Sequence, residues 1–300
     1  MSLSLVTGAA GAIGGHVARQ LAAAGDTVIG IGHGVPVSDL PLAGWINGDI
    51  TAENLGVLAA RHGVPSRIVH LAGGSSVGPS LAAPLEDFTR TVGATVNLLE
   101  WVRLHAPDAA LVLTSSAAVY GDAASVPIPD HATRAPVSPY GVHKGMMEAA
   151  AASWGANFGL RVAVVRLFSV YGPGLHKQLV WEVLNRLARG ERTLSLGGTG
   201  AETRDWLHIA DAARVLVAAT AHVSALAPCF NGCTGTPLSV RDTVLALARG
   251  YGAVVELQFN GRNRPGDPVH LVGRPSTGLF ATIAPEQGLA DFAAHFAKGR

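Results

Sequence analysis

Tyr140 and Lys144 stand one helical turn apart in the stretch Tyr140-Gly-Val-His-Lys144. Residues four apart share a helix face. Ser138-Pro139 just before them reads as an N-cap followed by proline at the first helical position. A phenol titrates near ~10 in isolation. An ammonium held beside it favours the phenolate and brings it within reach of acid–base work near neutral pH. The same pair also occurs on exposed helices with no such role, so its meaning depends on what surrounds it.

A second constellation opens the chain. Gly8-Ala-Ala-Gly11-Ala-Ile-Gly14 follows an apolar run and leads into a helical pattern. Glycines permit a tight turn and close backbone approach there, and the N–H groups of the helix start suit a pyrophosphate. Gly8, Gly11, Ala12, Ile13 and Gly14 are therefore the expected cradle of a dinucleotide. The acidic residue that commonly takes the adenosine ribose hydroxyls is missing. The second strand ends Gly30-Ile31-Gly32-His33-Gly34, which leaves His33 in that place and no arginine for a 2′-phosphate. NAD and NADP both stay open. Asp49, in Gly48-Asp49-Ile50, is either an acceptor for the adenine amine or an acid at a helix start near Thr51.

These groups need elements to position them. Leu3–Val6, Thr27–Ile31, Arg67–Leu71, Ala110–Thr114 and Arg161–Val165 are short apolar runs, alternating with helical patterns at Ile13–Ala24 and Glu86–Leu104 and at the Tyr140 segment. Continuous Val/Ile/Leu strands separated by helices imply a parallel sheet covered on both faces. That is a doubly wound α/β domain, with ligands beyond the carboxyl ends of its strands. After Tyr171-Gly-Pro-Gly174 the rhythm loosens. Helices are expected at Val180–Arg189, Ile209–Ala221, Val240–Arg249 and Pro285–Ala297, with a short strand at Thr193–Leu196 and a loop over Asn260–Pro275. The reading is a dinucleotide-binding domain over residues 1–172 and a smaller α/β substrate-binding subdomain over 173–300, interleaved with the end of the first.

Composition narrows the classes. The chain has 300 residues, 48% hydrophobic and 14% charged, with formal net charge +1, so it can bury a substantial core. No basic tract points to nucleic acid. Apolar stretches break well short of the ~20 residues of a membrane span, and the amino terminus lacks the plan of a signal peptide. Cys229 and Cys233 have no second pair to complete a metal site and read as packing residues in a reducing cytoplasm.

Six motifs then occur in one order: Thr7-Gly8 through Gly14, His70-Leu-Ala-Gly73, Ser115-Ser-Ala-Ala-Val-Tyr-Gly121, Tyr140 to Lys144, Arg166-Leu-Phe-Ser-Val-Tyr-Gly-Pro173, and Thr203-Arg-Asp-Trp206. In these the chain resembles the extended short-chain dehydrogenase/reductase family, in particular its nucleotide-sugar epimerases and dehydratases. Ala72-Gly-Gly-Ser-Ser-Val-Gly-Pro-Ser80 with Pro84-Leu85 looks most like the UDP-galactose 4-epimerases.

The resemblance implies a Rossmann fold that binds NAD, NADP not being excluded, and a homodimer packed through the Glu86–Leu104 and Tyr140 helices. Val92, Val96, Leu99, Met146 and Met147 are candidates for that seam or for the core of one subunit. It makes Ser116, four residues before Tyr120, the catalytic hydroxyl that relays a proton to Tyr140, and it makes Lys144 the residue that bonds the nicotinamide ribose and lowers the phenol. Ser115, Ile50, Leu71, Ala72 and Gly73 join the cofactor set, with His33 and Asp49. Ser75, Ser169, His176, Arg204 and Arg264 join Ser116 on the substrate. A guanidinium suits a diphosphate, although Arg204 could instead pair with Asp205 or Asp211, and Arg264 could be a loop charge. Ser169 and Thr91 stand where asparagine is frequent. His176 and Lys177 either line the sugar pocket or face solvent at a helix start. His70 and His143 are expected to be hydrogen-bonded structural residues.

Dehydratases of the group follow the catalytic hydroxyl with an acidic pair. Here those positions are Ala117 and Ala118, and neither can carry a proton. The expectation is therefore an NAD-dependent nucleotide-sugar 4-epimerase, with a UDP-hexose as substrate and a transient 4-keto sugar as intermediate. The alternative is an NAD(P)H-dependent 4-keto-sugar reductase; a nucleotide-binding protein without catalysis is a third class.

Overall fold

The computed structural model describes residues 2–123, 125–262 and 268–299. In chain order the first half contains β1 (Leu3–Thr7), α1 (Ala12–Ala23), β2 (Thr27–Gly32), β3 (Gly44–Asn47), α2 (Ala52–His62), β4 (Arg67–His70), α3 (Val77–Ala82), α4 (Pro84–Phe88), α5 (Ala94–His105), β5 (Ala110–Ser116) and α6 (Pro139–Phe158). The second half contains β6 (Val162–Leu167), β7 (Ser169–Tyr171), α7 (Gln178–Ala188), β8 (Thr193–Leu196), β9 (Thr203–His208), α8 (Ile209–Ala219), β10 (Cys229–Gly232), β11 (Pro237–Ser239), α9 (Val240–Tyr251), β12 (Glu256–Phe259), β13 (His270–Leu271) and α10 (Pro285–Lys298).

Among the described residues a seven-stranded sheet runs in the order β10-β6-β5-β4-β1-β2-β3, every neighbouring pair parallel. Successive side chains leave a strand on opposite faces, and here both faces are apolar. Leu5, Leu111, Leu113, Val162 and Val164 join Leu55, Leu98, Leu99 and Met147 from α2, α5 and α6 on one side. Val6, Val112, Ala163 and Val165 join Val17, Leu21, Val215 and Leu216 from α1 and α8 on the other. Each such side chain contributes about 1.5–3 kcal/mol when fully buried. Leu99 and Met147 are at most 1% exposed inside this core, so they are not part of a seam between subunits. Met146, 45% exposed, remains on the surface.

The strand order reverses at β1 and β4, which is where an open α/β sheet leaves a crevice beyond its carboxyl ends. A smaller unit covers that end. β9 pairs with β11, β13 and β7; β8 pairs with β12; α7, α9 and α10 pack over them around Leu184, Leu194, Trp206, Leu247 and Leu289. The two units are threaded through each other: α8 and β10, both from beyond residue 173, pack on or join the large sheet.

Two local differences bear on the site. The segment expected as one helix over Glu86–Leu104 begins earlier, as α3 and α4, and Thr89–Gly93 makes a π turn before α5. The expected loop over Asn260–Pro275 contains β13, which adds to β9 beside Thr203 and Arg204. Period alone carries no signal for a two-residue strand or a one-turn change of winding. No described helix is long and apolar enough to cross a membrane.

Candidate active site

One cavity of about 1210 Å³ runs along the carboxyl ends of the large sheet and under the smaller unit. Single-ligand pockets are typically ~300–1,000 Å³, so this one has room for two molecules end to end. At one end lie Gly8, Gly11, Ala12, Ile13, Gly14, Gly32, His33, Asp49 and Ile50; in the middle Leu71, Ala72, Gly73, Ser115, Ser116, Tyr140 and Lys144; beyond them Ser75, Ser169, Lys177, Glu202 and Arg204.

Local chemistry explains the first end. Gly8 has φ +70, a left-handed turn closed by Gly11 N–H on its carbonyl at 2.9 Å. A Cβ at Gly14 would overlap that same carbonyl, so only glycine lets α1 start here. Gly11 caps α1 without a side chain, and no acid occupies the first turn. The N–H groups of the first turn are therefore left for an anion on the cavity wall. These residues fit the pyrophosphate of a dinucleotide. His33 and Asp49 meet each other at 2.8 Å. The position without an acid at the end of β2 thus acquires one from the end of β3, carried on an imidazole. Asn97 Nδ2 donates to the Ile50 carbonyl at 3.0 Å and fixes that wall.

The floor at β4 is held by a chain of hydrogen bonds. Thr95 Oγ1 donates to Thr91 O at 2.6 Å, so at 3.1 Å it accepts from Nε2 of His70. The other ring nitrogen is then an acceptor, for the Thr7 hydroxyl at 2.7 Å. Thr7 Oγ1 in turn accepts from Leu71 N and Ala72 N, both at 3.1 Å. Burial drives His70 down to about 3, which keeps the ring neutral for this task. Thr91, fully buried, accepts from Gly74 N at 2.8 Å; its hydroxyl shapes the turn behind the cavity and does not meet the substrate space.

Tyr140, Ser116 and Lys144 converge in the middle. Ser138 caps α6, accepting from Gly141 N at 3.2 Å, and Ser80 on α3 accepts from Tyr140 N at 3.1 Å. The Ser116 hydroxyl is on the same wall of the cavity as the Tyr140 phenol and accepts from Ala118 N at 3.2 Å. Lys144 Nζ donates to Thr114 O at 2.8 Å and lies 5.9 Å from the centre of the Tyr140 ring. The expected lowering of the phenol is corrected here. Burial pushes Tyr140 up, the nearby Ser116 hydroxyl pulls it back, and the buried Asp87 pushes it up again. Burial likewise lowers Lys144 to about 8, against the pull of Asp87 and Glu148. Desolvation outweighs the pairing that spacing suggested.

Three other expected residues are accounted for as follows. Ser115 is on the cavity wall, and its hydroxyl donates to Glu148 at 2.6 Å inside the protein, which leaves it only acceptor capacity toward the cavity. His176 leaves the cavity and stacks on Trp181 at 4.3 Å, because the turn before α7 points it at that ring. Arg264 lies outside the described residues. Arg204 is on the wall with Nη1 donating to Thr203 O and Val269 O. Asp205 and Asp211 are engaged elsewhere, Asp205 by Thr234 and Gly235 and Asp211 by Arg214.

Sequence reasoning missed two buried clusters behind the site. Glu148 takes Arg166 through two parallel bonds of 2.8 and 2.7 Å. Arg166 continues to Tyr120 at 2.8 Å, and Tyr120 to Asn231 on β10 at 2.6 Å. The spacing Tyr140, Lys144, Glu148 along one helix face was a signal for the first member. His143 and Asp87 meet at 2.6 Å; 56 residues apart, they left no sequence signal.

Comparison with known proteins adds the following. The NAD dependent epimerase/dehydratase family model matches residues 4–231. The UDP-glucose 4-epimerase of Azospirillum brasilense is 33% identical over 297 residues, spanning 89% of this chain and 82% of the relative. That of Streptomyces lividans is 31% identical over 296 residues, spanning 91% and 88%. Among solved structures, MoeE5 in complex with UDP-glucuronic acid and NAD superposes with a TM-score of 0.86 at 29% identity over 99% of both chains. The UDP-glucose 4-epimerase of Thermotoga maritima with UDP-glucose does so with a TM-score of 0.88 at 25% identity over 99% of both.

Proposed function

The chain belongs to the NAD dependent epimerase/dehydratase family, and we propose that it is a nucleotide-sugar 4-epimerase acting on a UDP-linked six-carbon sugar. One observation carries this reading beyond the family: Ser116 at the carboxyl end of β5 and Tyr140 line the same cavity, with Lys144 Nζ 5.9 Å from the Tyr140 ring and apolar Ala117 and Ala118 as the residues following Ser116. That set can move one proton at a sugar hydroxyl and holds no acid pair to expel water.

NAD, held by the Gly8–Gly14 turn, the first turn of α1 and Leu71–Gly73, supplies a hydride acceptor and a positively charged ring when bound. Tyr140 holds or takes the proton of the 4-hydroxyl at its phenolic oxygen. Ser116 bonds the same substrate oxygen and relays its proton to the phenol. Lys144, anchored on Thr114 O, keeps a cation beside the ring so that the phenolate is stabilised when it forms. Arg204 receives the diphosphate, which places the sugar between it and Tyr140; Ser75 and Ser169 meet sugar hydroxyls. Positioning of this kind removes most of the entropy barrier to the reaction.

Tyr140→Phe should lower turnover by at least about 10²-fold, with NAD binding largely kept. Retained epimerisation by that variant would sink the assignment. The reductase reading is favoured by the absence of an acid at the end of β2. It requires added NAD(P)H in each cycle, so C4 inversion by protein with only its co-purified NAD separates the two. We also propose a cytoplasmic homodimer, packed through the exposed Leu85, Met146 and Leu104 of α4, α6 and α5; a monomer by sedimentation would remove it.

A further inference from the structure

The end of β2 lacks a carboxylate for the ribose hydroxyls of a dinucleotide, and a histidine stands there instead. Three strand ends are stitched together at this point. Gly8 N donates to Ile31 O at 2.7 Å, and Gly48 N donates to Gly32 O at 2.9 Å. A Cβ on Gly32 would lie 3.1 Å from Gly8 N and Cα, so the last residue of β2 touches the pyrophosphate turn. His33 is the next residue, and it lines the cavity together with Asp49. Its Nε2 is 2.8 Å from Asp49 Oδ1. Both side chains are more than half exposed, so the pair itself adds little to stability. Its value lies in what it presents to the cavity.

A carboxylate only accepts, so in the neutral ring Nε2 carries the hydrogen and Nδ1 the lone pair. Nδ1 has no other partner among the described residues. The imidazole therefore meets a ligand as an acceptor, with a negative charge beside it. Another acid, Glu53, stands in the first turn of α2 just beyond Asp49. The cations of the cavity wall belong to other elements: Arg90 to the π turn, Lys144 to α6, Lys177 to the residue before α7 and Arg204 to β9. Arg19 on α1 is held by both carboxylate oxygens of Asp39, at 2.9 and 3.0 Å.

In a dinucleotide the adenosine ribose is joined to the pyrophosphate through its 5′ oxygen. With the pyrophosphate on the Gly8 turn, the ribose is the next group along and reaches His33. We propose that His33 and Asp49 act as one unit that selects NAD over NADP: His33 Nδ1 accepts from a ribose hydroxyl, and Asp49 repels a 2′-phosphate. The 2′-hydroxyl of NAD is a donor and finds an acceptor. A 2′-phosphate brings nearly two negative charges and finds a lone pair, a carboxylate and no guanidinium. Specificity of this kind comes from the repulsive element as much as from the attractive one. The proposal rests on NAD lying along the glycine turn and holds whichever carbon of the sugar reacts.

The test is the ratio of the dissociation constants for NADP and NAD, by calorimetry on the full chain freed of bound nucleotide, for wild type, Asp49→Asn and His33→Phe. No sugar is present, so failure of the 4-epimerase reading leaves the result untouched. Both side chains are exposed, and neither substitution disturbs the core. Wild type should bind NAD at least about tenfold more tightly than NADP. Asp49→Asn keeps the size and removes the charge; it should lower the ratio about tenfold, chiefly through tighter NADP binding. His33→Phe removes the acceptor and should lower the ratio chiefly through weaker NAD binding. Equal affinity of wild type for the two nucleotides overturns the proposal. So does a ratio unchanged in Asp49→Asn, because a carboxylate that weakens both equally when removed is holding the adenine they share. A chain that binds neither nucleotide removes the proposal together with the cofactor site.

Discussion

Lys144 is the group whose protonation most directly couples the site to the rest of the protein. Its pKa in the folded chain, about 8, lies below the ordinary lysine value of 10.5 because it is buried. Between those values the unfolded chain binds more proton than the folded one, so the contribution of this site to stability rises with pH. Below about 8 the buried ammonium carries its full cost. The stability difference between wild type and Lys144→Met should therefore shift by roughly 2 kcal/mol in favour of wild type between pH 7.5 and 9.5. Urea unfolding at the two values measures it, and a difference independent of pH would contradict the assignment. Thr7 offers a second check. Its hydroxyl serves two backbone N–H groups and the His70 ring at once. Thr7→Val keeps the shape and removes all three bonds, and should cost about 2 kcal/mol or more in the same assay. The serine, tyrosine and lysine were legible from spacing and motif; the direction of the phenol's pKa was not, because burial is a property of the fold and not of neighbours in the chain.

At the scale of elements, α6 does more than carry Tyr140 and Lys144. Glu148, one turn further on the same face, ties the helix to β6 through Arg166, and Arg166 reaches β10 through Tyr120 and Asn231. The network holds the end of β5 as well, through Ser115. Truncating one partner leaves the other charge buried and unpaired. Glu148→Met should cost about 3–5 kcal/mol, and adding Arg166→Met should restore much of it. If denaturant unfolding shows the double variant as weak as the single, the pair is not the principal contact. The caps and the helix itself were readable from Ser138-Pro139 and the apolar pattern. The π turn at Thr89–Gly93, which places Thr91 against Gly74, was not, since it alters winding by one residue without altering composition. His176 was misplaced for a related reason: a turn aims each side chain by backbone angles that adjacent residue types do not specify.

For the whole molecule, the parallel sheet and its two helical layers followed from runs of Val, Ile and Leu spaced by helices. The threading was harder to place. Cys229–Gly232 is a short strand surrounded by loops, and only its register beside Val164–Leu167 shows that it completes the large sheet. Asp205 binds the turn after that strand, so the smaller unit is fastened to the large sheet. The cavity, about 1210 Å³, spans both units, and its wall carries the glycine turn, Tyr140 and Arg204. The most direct test is to incubate the purified chain, loaded with NAD and freed of excess cofactor, with UDP-glucose and separately with UDP-glucuronic acid, and to follow the proton at C4 by NMR. The account predicts inversion at C4 to an equilibrium mixture with no net consumption of NAD, abolished in Tyr140→Phe. No inversion of either sugar, or turnover that stops after one equivalent of cofactor, would contradict it.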